Sequence, residues 1–377
     1  MPIFGLYLLK NYLKVLFLSL FSFIAILLVS RLEEIAQLAS MGAKISYIAL
    51  FALYQISYLM PVAISISCVI SAILLFQRLS RTHELTALRS SGVSLYLIIS
   101  PVLMAGAVLA LINFYFTSEI ATVSHLESRK KVYNLVSVNP LLLLQNAKIA
   151  NLQGAYIQMD PIRNGKEVKD LLIVLNNRPN KRLNLCLAGK VVTHGEKLQA
   201  EQVSFISSLP SAQKEDFDPL IIENQQMLST SATELASIIG KKGWKITNDH
   251  LKFSLLRVRQ NVLKKEIAIE KDPVKKRKLK RYLKKSYTEI ARRVSLGLAA
   301  FTFTLMGTAC GMEISRNHTN RGVISVLILA SLSLVSFFMG KEFDHLFWIA
   351  NLFFLLPHLL ITLFSTWTLR RVNKGIE

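Results

Sequence analysis

Two stretches and one isolated side chain in this 377-residue sequence have types and spacing that bear on chemistry, and they point to binding, not bond making. The first stretch is Gln77-Arg-Leu-Ser-Arg-Thr-His-Glu-Leu-Thr-Ala-Leu-Arg-Ser-Ser-Gly-Val-Ser. Its apolar Leu79, Leu85 and Leu88 and its polar Arg81, Glu84 and Arg89 fit a short amphipathic helix over about residues 78–91, closed by Ser91-Gly92. The second is a basic run from Lys252 to Lys285, where fourteen Lys/Arg face three Asp/Glu. The isolated side chain is His358, beside Pro357 in an apolar segment, where a helix-packing role is the simpler reading of a histidine at membrane depth. Nothing in the chain assembles a catalytic constellation. There is no Gly-x-x-x-x-Gly-Lys-Ser/Thr phosphate loop, no His-Glu-x-x-His, no Cys-x-x-Cys and no Gly-x-Ser-x-Gly. We therefore expect no catalytic residue, no metal, no cofactor and no ATP hydrolysis by this chain itself.

The elements that must position these residues are set by hydropathy. The sequence is 52% hydrophobic and 18% charged, with a mean hydropathy of +0.39, more apolar surface than one soluble core hides. Windows free of charge and long enough to cross about 30 Å of hydrocarbon number six. They are Val15–Ser30 (extended by Tyr12 to Lys14), Ile45–Gln77, Ser90–Ser118, Val294–Met312, Gly322–Gly340 and His345–Leu369. Arg31-Leu-Glu-Glu after the first window argues against a cleaved signal peptide. Six spans put both termini on one side. Lys/Arg in the short loops divide ten to three in favour of that side being the cytoplasm, with Arg31, Lys44 and Lys341 opposite. The spans contain almost no carboxylates, which disfavours an ion-driven transporter and an intramembrane enzyme alike.

Charge follows the same partition. Of 45 Lys/Arg and 24 Asp/Glu, 32 and 17 lie between Glu119 and Arg293, so this large loop carries a net +15. Its first part alternates short apolar runs (Ala155–Met159, Leu171–Leu175, Leu183–Leu187, Val203–Ile206) with turn clusters, the pattern of a sandwich or jellyroll. From Leu251 to Ile290 the period becomes helical, with Asp272-Pro273 as the break between two helices. The expected organisation is residues 1–118 as spans 1–3 with the short helix, 119–250 as a β-domain, 251–293 as a basic helical connector, and 294–377 as spans 4–6. Cys68 and Cys310 fall in spans and Cys186 is alone in the loop, so all three read as packing residues. Three readings of the basic run stand side by side. It is a solvated helix face, a nucleic-acid contact, disfavoured by few aromatics and by topology, or a surface for anionic lipid head groups.

The order of three spans, a β-rich insertion and three spans, the opening Phe4-Gly-Leu-Tyr-Leu-Leu-Lys and the segment Glu84-Leu-Thr-Ala-Leu-Arg-Ser-Ser-Gly-Val-Ser resemble the LptF/LptG (YjgP/YjgQ) permease family of the lipopolysaccharide exporter. Asn139-Pro-Leu-Leu-Leu-Leu-Gln and Glu289-Ile-Ala-Arg-Arg are also like the family. The resemblance implies six transmembrane helices with an inserted periplasmic all-β jellyroll-like domain, in the bacterial inner membrane. It implies a heterodimer with a second permease of the same kind, a cytoplasmic ATPase dimer, and a periplasmic jellyroll bridge protein that receives lipopolysaccharide. Glu84 matches the coupling-helix glutamate that faces the ATPase, with Arg81, Leu85, Leu88 and Arg89 around it. Arg31 matches a basic residue near lipid phosphates, and Lys44 joins it as a basic rim above the spans. Glu33 and Glu34, directly after Arg31, and the length of the Lys-rich stretch 264–285 depart from the family pattern. The competing class is a membrane scaffold that anchors a β-domain and transports nothing; binding of a P-loop ATPase separates the two.

Overall fold

A computed structural model describes residues 2–32, 35–36, 39, 45–138, 149–152, 155–161, 167–177, 182–194, 197–208, 220–231, 247–312 and 321–374. The chain divides into two compact units: a helical one of residues 1–33, 52–126 and 246–377, and a second of residues 34–51 and 127–245 that holds the sheet. The helices are α1 (Pro2–Val29), α2 (Ile45–Arg81), α3 (Glu84–Ser90), α4 (Leu95–Tyr115), α5 (Ala121–Val138), α6 (Phe253–Ile269), α7 (Pro273–Gly311), α8 (Arg321–Glu342) and α9 (Phe347–Asn373). A π-helical turn, Phe116–Ile120, joins α4 to α5, and a 3-10 turn, Asn248–His250, precedes α6.

Among the described residues six helices are long and apolar enough to cross a membrane, three before the sheet and three after, as expected. Several run past their apolar windows. α1 begins at Pro2, not Val15, because Leu8, Tyr12, Leu16 and Leu20 form one buried stripe at four-residue spacing while Lys10 and Lys14 lie exposed off it. α7 begins at Pro273, so the second helix of the basic connector and the fourth span are a single 39-residue helix, with α6 the connector's first helix. Asp272 caps it, its carboxylate accepting from the Val274 N–H at 2.9 Å, with Pro273 at the first helical position. The predicted break at Asp272-Pro273 is therefore present.

The helical unit exposes large apolar side chains on its outer surface and buries scattered polar groups among the apolar ones inside, the arrangement a lipid solvent favours. Phe17, Phe21, Leu111, Leu327 and Leu363 are exposed on its outer surface, while Ser65, Ser71, Asn113, Thr304 and Thr308 are buried. The buried polar groups join helices. Tyr12 Oη and Thr304 Oγ1 are 3.1 Å apart, linking α1 to α7. Asn113 Nδ2 donates to Ser65 Oγ at 3.1 Å and to the Leu296 carbonyl at 2.7 Å, linking α4 to α2 and α7.

The second unit holds the inserted antiparallel sheet that the sequence predicts, although α5 is helical within the residues 119–250 expected to be β. Its described strands are β1 (Ile149–Leu152), β2 (Ala155–Pro161), β3 (Glu167–Asn177), β4 (Arg182–His194), β5 (Lys197–Ser208) and β6 (Leu220–Ser231), paired antiparallel in chain order as one open meander. All four apolar runs picked out in the sequence fall in these strands. One face collects Val168, Leu171, Ile173, Ala188, Val191, Leu198, Ala200 and Val203.

The spacing within that buried set is three where strict alternation demands two. Val168 is followed by Leu171, Ala188 by Val191, and Ala200 by Val203. Asp170 (φ 49°) and Gln202 (φ 55°) take the left-handed conformation, and the pairing skips the row Asp170, Gly189, Gln202 without changing register on either side. All three strands therefore flip face at the same row, and the apolar face stays continuous across it. A Cβ on Gly189 would lie 2.8 Å from Gln202 Oε1, the movable end of a flexible side chain, so a side chain there has to displace the Gln202 amide. Gly189→Val is expected to push the Gln202 amide aside and lower stability by about 1 kcal/mol. Gln202→Gly, which relieves the left-handed backbone, should be neutral or mildly stabilising. Hydrogen exchange of β3 to β5 in the full-length protein checks both; unchanged protection in Gly189→Val contradicts the crowding argument.

Candidate functional site

The segment singled out in the sequence forms a shorter helix than expected. α2 continues through Arg81, and His83 then turns the chain in the left-handed conformation (φ 58°), so only Glu84–Ser90 remain for α3. Its end is the predicted glycine stop. The Val93 N–H donates to the Leu88 carbonyl at 3.2 Å and the Gly92 N–H to the Arg89 carbonyl at 3.0 Å, with Gly92 at φ +83°, which makes a Schellman closure.

Three of its residues root α3 in the helical unit. Leu85 is buried in the main apolar cluster, together with Leu79, Leu95 and Val372, and Leu88 packs against it. Arg89 donates from Nη1 to the Val372 carbonyl at 3.0 Å and from Nη2 to the Asn373 carbonyl at 2.9 Å. It thereby satisfies the last carbonyls of α9, which have no partner within their own helix. Arg81 is exposed, and Glu84 is half-buried with Oε1 accepting from Thr82 Oγ1 at 3.0 Å. Of the five residues predicted as one contact set, Leu85, Leu88 and Arg89 are thus turned inward and Arg81 and Glu84 lie at the surface side. Arg31 follows α1 in the turn that ends it, half-buried, and Lys44 lies outside the described residues.

A second polar centre lies where α7 meets the end of α4. Arg293 is fully buried. Its Nε donates to Glu289 Oε1 at 2.8 Å, while Nη2 donates to the Asn248 carbonyl at 3.1 Å and the Leu251 carbonyl at 2.8 Å. A longer bond of 3.4 Å runs from Nη1 to the Ser118 carbonyl, inside the π-helical turn. Glu289 also takes a bidentate pair from Arg292, Nε at 2.8 Å and Nη2 at 2.7 Å. One carboxylate and two guanidiniums therefore tie α7, the π-turn and the 3-10 turn together. Asp249 beside them has its carboxyl raised above the usual range, by burial first and by the Glu289 charge second. Next to it Tyr58, His125 and His250 stack ring on ring, with centroids 4.5 and 4.6 Å apart. Sequence reading noted Glu289-Ile-Ala-Arg-Arg only as a resemblance. Four residues after a run of lysines, these charges read as its continuation, although the spacing of Glu289 to Arg292 and Arg293 was a usable signal for helical ion pairing.

A third feature is a cavity of about 270 Å³ within the helical unit, between α2, α7, α8 and α9. Phe303, Phe337, Phe353 and Phe354 give it apolar walls, and His358 and several serines, Ser65 and Ser295 among them, are polar groups in its lining. His358 is the packing histidine the sequence suggested. Nε2 lies 2.9 Å from Ser295 Oγ and Nδ1 3.0 Å from Thr302 Oγ1, so both ring nitrogens are engaged within the bundle.

Among the described residues no group of His, Cys, Asp and Glu could hold a metal ion, and all three cysteines are free. Apolar helices, an apolar cavity among them and an open sheet with one apolar face are suited to handling a lipid. Residues 6–371 match the family described as lipopolysaccharide export system permease LptF/LptG. The chain belongs to the LptF/LptG family. No curated protein matches it. As an LptF/LptG permease it is a multi-pass inner-membrane protein and the permease component of a lipopolysaccharide transport system. The family match takes in α3, the Arg293 centre and the sheet alike.

Proposed function

We propose that the chain is one half of a permease dimer that draws lipopolysaccharide out of the inner membrane, driven by a separate cytoplasmic ATPase dimer. Its partner is a second permease of the same family, and the lipid leaves to a periplasmic jellyroll bridge protein. Both termini are cytoplasmic and the sheet is periplasmic, on the strength of the ten-to-three distribution of Lys/Arg in the short loops. The observation that carries the reading is α3. A seven-residue helix fixed at Leu85, Leu88 and Arg89, with Arg81 and Glu84 on its outer side, moves only if the spans move with it.

On this reading ATP-driven closure of the partner pushes on Glu84 and Arg81, and the shift reaches α9 through the two Arg89 bonds. Rearranged spans then expel the lipid. The acyl chains pass from apolar cavities in the membrane to the continuous apolar face of the sheet, while Arg31 and Lys44 hold lipid phosphates at the outer rim. A scaffold that only anchors a sheet has no need of a rigid polar helix on its cytoplasmic side.

Glu84→Ala tests this. Loss of one well-placed charged contact is worth about 2 kcal/mol, so ATPase co-purification and lipopolysaccharide release should each fall more than about tenfold. Thermal stability should hold, because among the described residues the one side-chain hydrogen bond to Glu84 comes from its neighbour Thr82. Normal ATPase retention together with normal release in this variant would sink the coupling role.

A further inference from the structure

Along the basic hairpin of α6 and α7 charge is not spread evenly. At its tip Lys271, Lys275 and Lys278 share a shallow hollow with Glu266 and Glu270, so cations there have carboxylates beside them. Further down α7, Arg277, Lys280, Arg281 and Lys284 are all exposed and fall at i, i+3, i+4 and i+7, one stripe on one helix face. No carboxylate occurs in α7 before Glu289, and no ion pair to any of the four is present among the described residues. Like charges at these spacings weaken a helix, so a face that merely needed solvent would be better served by mixed signs.

The height of the stripe identifies what it can meet. Lys285 Nζ donates to Asp344 Oδ2 at 2.8 Å, and the Tyr287 ring meets Phe347 edge-on with centroids 6.1 Å apart. Asp344 lies in the turn between α8 and α9, so Lys285 marks the level at which two spans end. Trp348, 82% exposed, lies next to Phe347 at that end, as an interfacial aromatic does. At 1.5 Å per residue Lys284, Arg281, Lys280 and Arg277 stand about 2, 6, 8 and 12 Å beyond it. A bilayer's head-group layer is only about 5–7 Å deep. Phospholipid phosphates, which lie in one plane, would meet the lower two cations and leave the upper two unused. A ladder of cations along the membrane normal fits anionic groups stacked along that normal.

We propose that the Arg277, Lys280, Arg281 and Lys284 stripe is a docking surface for the phosphorylated saccharide of the exported lipid, outside the bundle. This rests on the lipopolysaccharide reading above and adds to it the part of the molecule held and the residues that hold it.

The test compares the full-length protein with its Arg277→Gln, Lys280→Gln, Arg281→Gln, Lys284→Gln quadruple variant, all exposed positions that should leave the fold intact. Each is reconstituted in nanodiscs of zwitterionic phospholipid and titrated with purified lipopolysaccharide, with the same material after phosphate removal, and with anionic phospholipid. The quadruple variant should bind lipopolysaccharide at least about tenfold more weakly and with a flatter salt dependence. Dephosphorylated lipopolysaccharide and anionic phospholipid should bind both proteins alike. Equal affinity of the two proteins for lipopolysaccharide overturns the proposal, as does a loss confined to anionic phospholipid, which would assign the stripe to the bilayer. If the unaltered protein binds no lipopolysaccharide, the parent reading fails with it; if it binds and the variant matches it, the stripe alone fails.

Discussion

Glu289→Ala is expected to destabilise the protein by about 3–5 kcal/mol, the largest effect of any single charge change in the chain. The substitution leaves the guanidinium of Arg293 with 0% exposure and that of Arg292 with 16%, both deprived of their shared carboxylate. A buried cation without its partner is far more damaging than the intact pair is favourable. Arg293→Ala should cost less, because Glu289 keeps its bidentate bond to Arg292, although the carbonyls of Asn248 and Leu251 lose their donor. The order of melting temperatures should therefore be unaltered protein, then Arg293→Ala, then Glu289→Ala. A double substitution, Glu289→Leu with Arg293→Met, should recover part of the loss by removing both buried charges. Equal melting of Glu289→Ala and the unaltered protein would refute the electrostatic account of this centre.

Gly307→Leu should prevent α2 and α7 from packing at all. A Cβ at Gly307 would lie 2.7 Å from the Val69 carbonyl oxygen and 2.7 Å from Ala72 Cβ, and the obstruction is backbone, which cannot rotate away. Gly311, one turn on, would meet the Ile73 carbonyl at 3.0 Å. The two glycines make a small-x-x-x-small face on which helix backbones approach closely. Gly307→Ala is expected to lose about 1–3 kcal/mol and Gly307→Leu to fail to accumulate in the membrane. Gly5→Ala is the control, since its Cβ would meet the Pro101 ring at ordinary distances, 3.4 Å to Cγ and 3.9 Å to Cβ. Equal expression and melting of all three variants would show that α2 and α7 do not approach as closely as described.

Much of the architecture is readable from the linear pattern because its causes are local. Hydrocarbon thickness sets a minimum apolar length, so charge-free windows identify the spans regardless of what packs on them. Turn residues separate the apolar runs that become β2 to β5. Asp272-Pro273 starts a helix and Gly92 stops one, each through a bond within a few residues. Helix ends outside the apolar windows are a different matter. α1 extends back to Pro2 because its stripe of Leu8 and Tyr12, ahead of the apolar window, is buried against neighbouring helices, which no hydropathy window measures.

The residues with functional weight divide in the same way. Glu84, Arg31 and the basic run stand out in sequence because charge amid apolar segments is conspicuous, and the LptF/LptG resemblance rests on such short motifs. Amphipathic spacing puts Arg89 on the polar side with Glu84, whereas contacts with Val372 and Asn373, nearly three hundred residues away, turn it inward. Glu289, Arg292 and Arg293 look like three more charges in a basic run until Asn248, Leu251 and Ser118 are brought around them. The face flip at Asp170, Gly189 and Gln202 likewise belongs to three strands at once. The membrane class, the three-plus-three division, the inserted β-strands and the family resemblance follow from the sequence, each a property of composition or of neighbours along the chain. Tertiary structure alone decided which charges are buried together and which residues of α3 anchor it. Those depend on distances between segments remote in sequence, and a periodic pattern carries no information about distance across the fold.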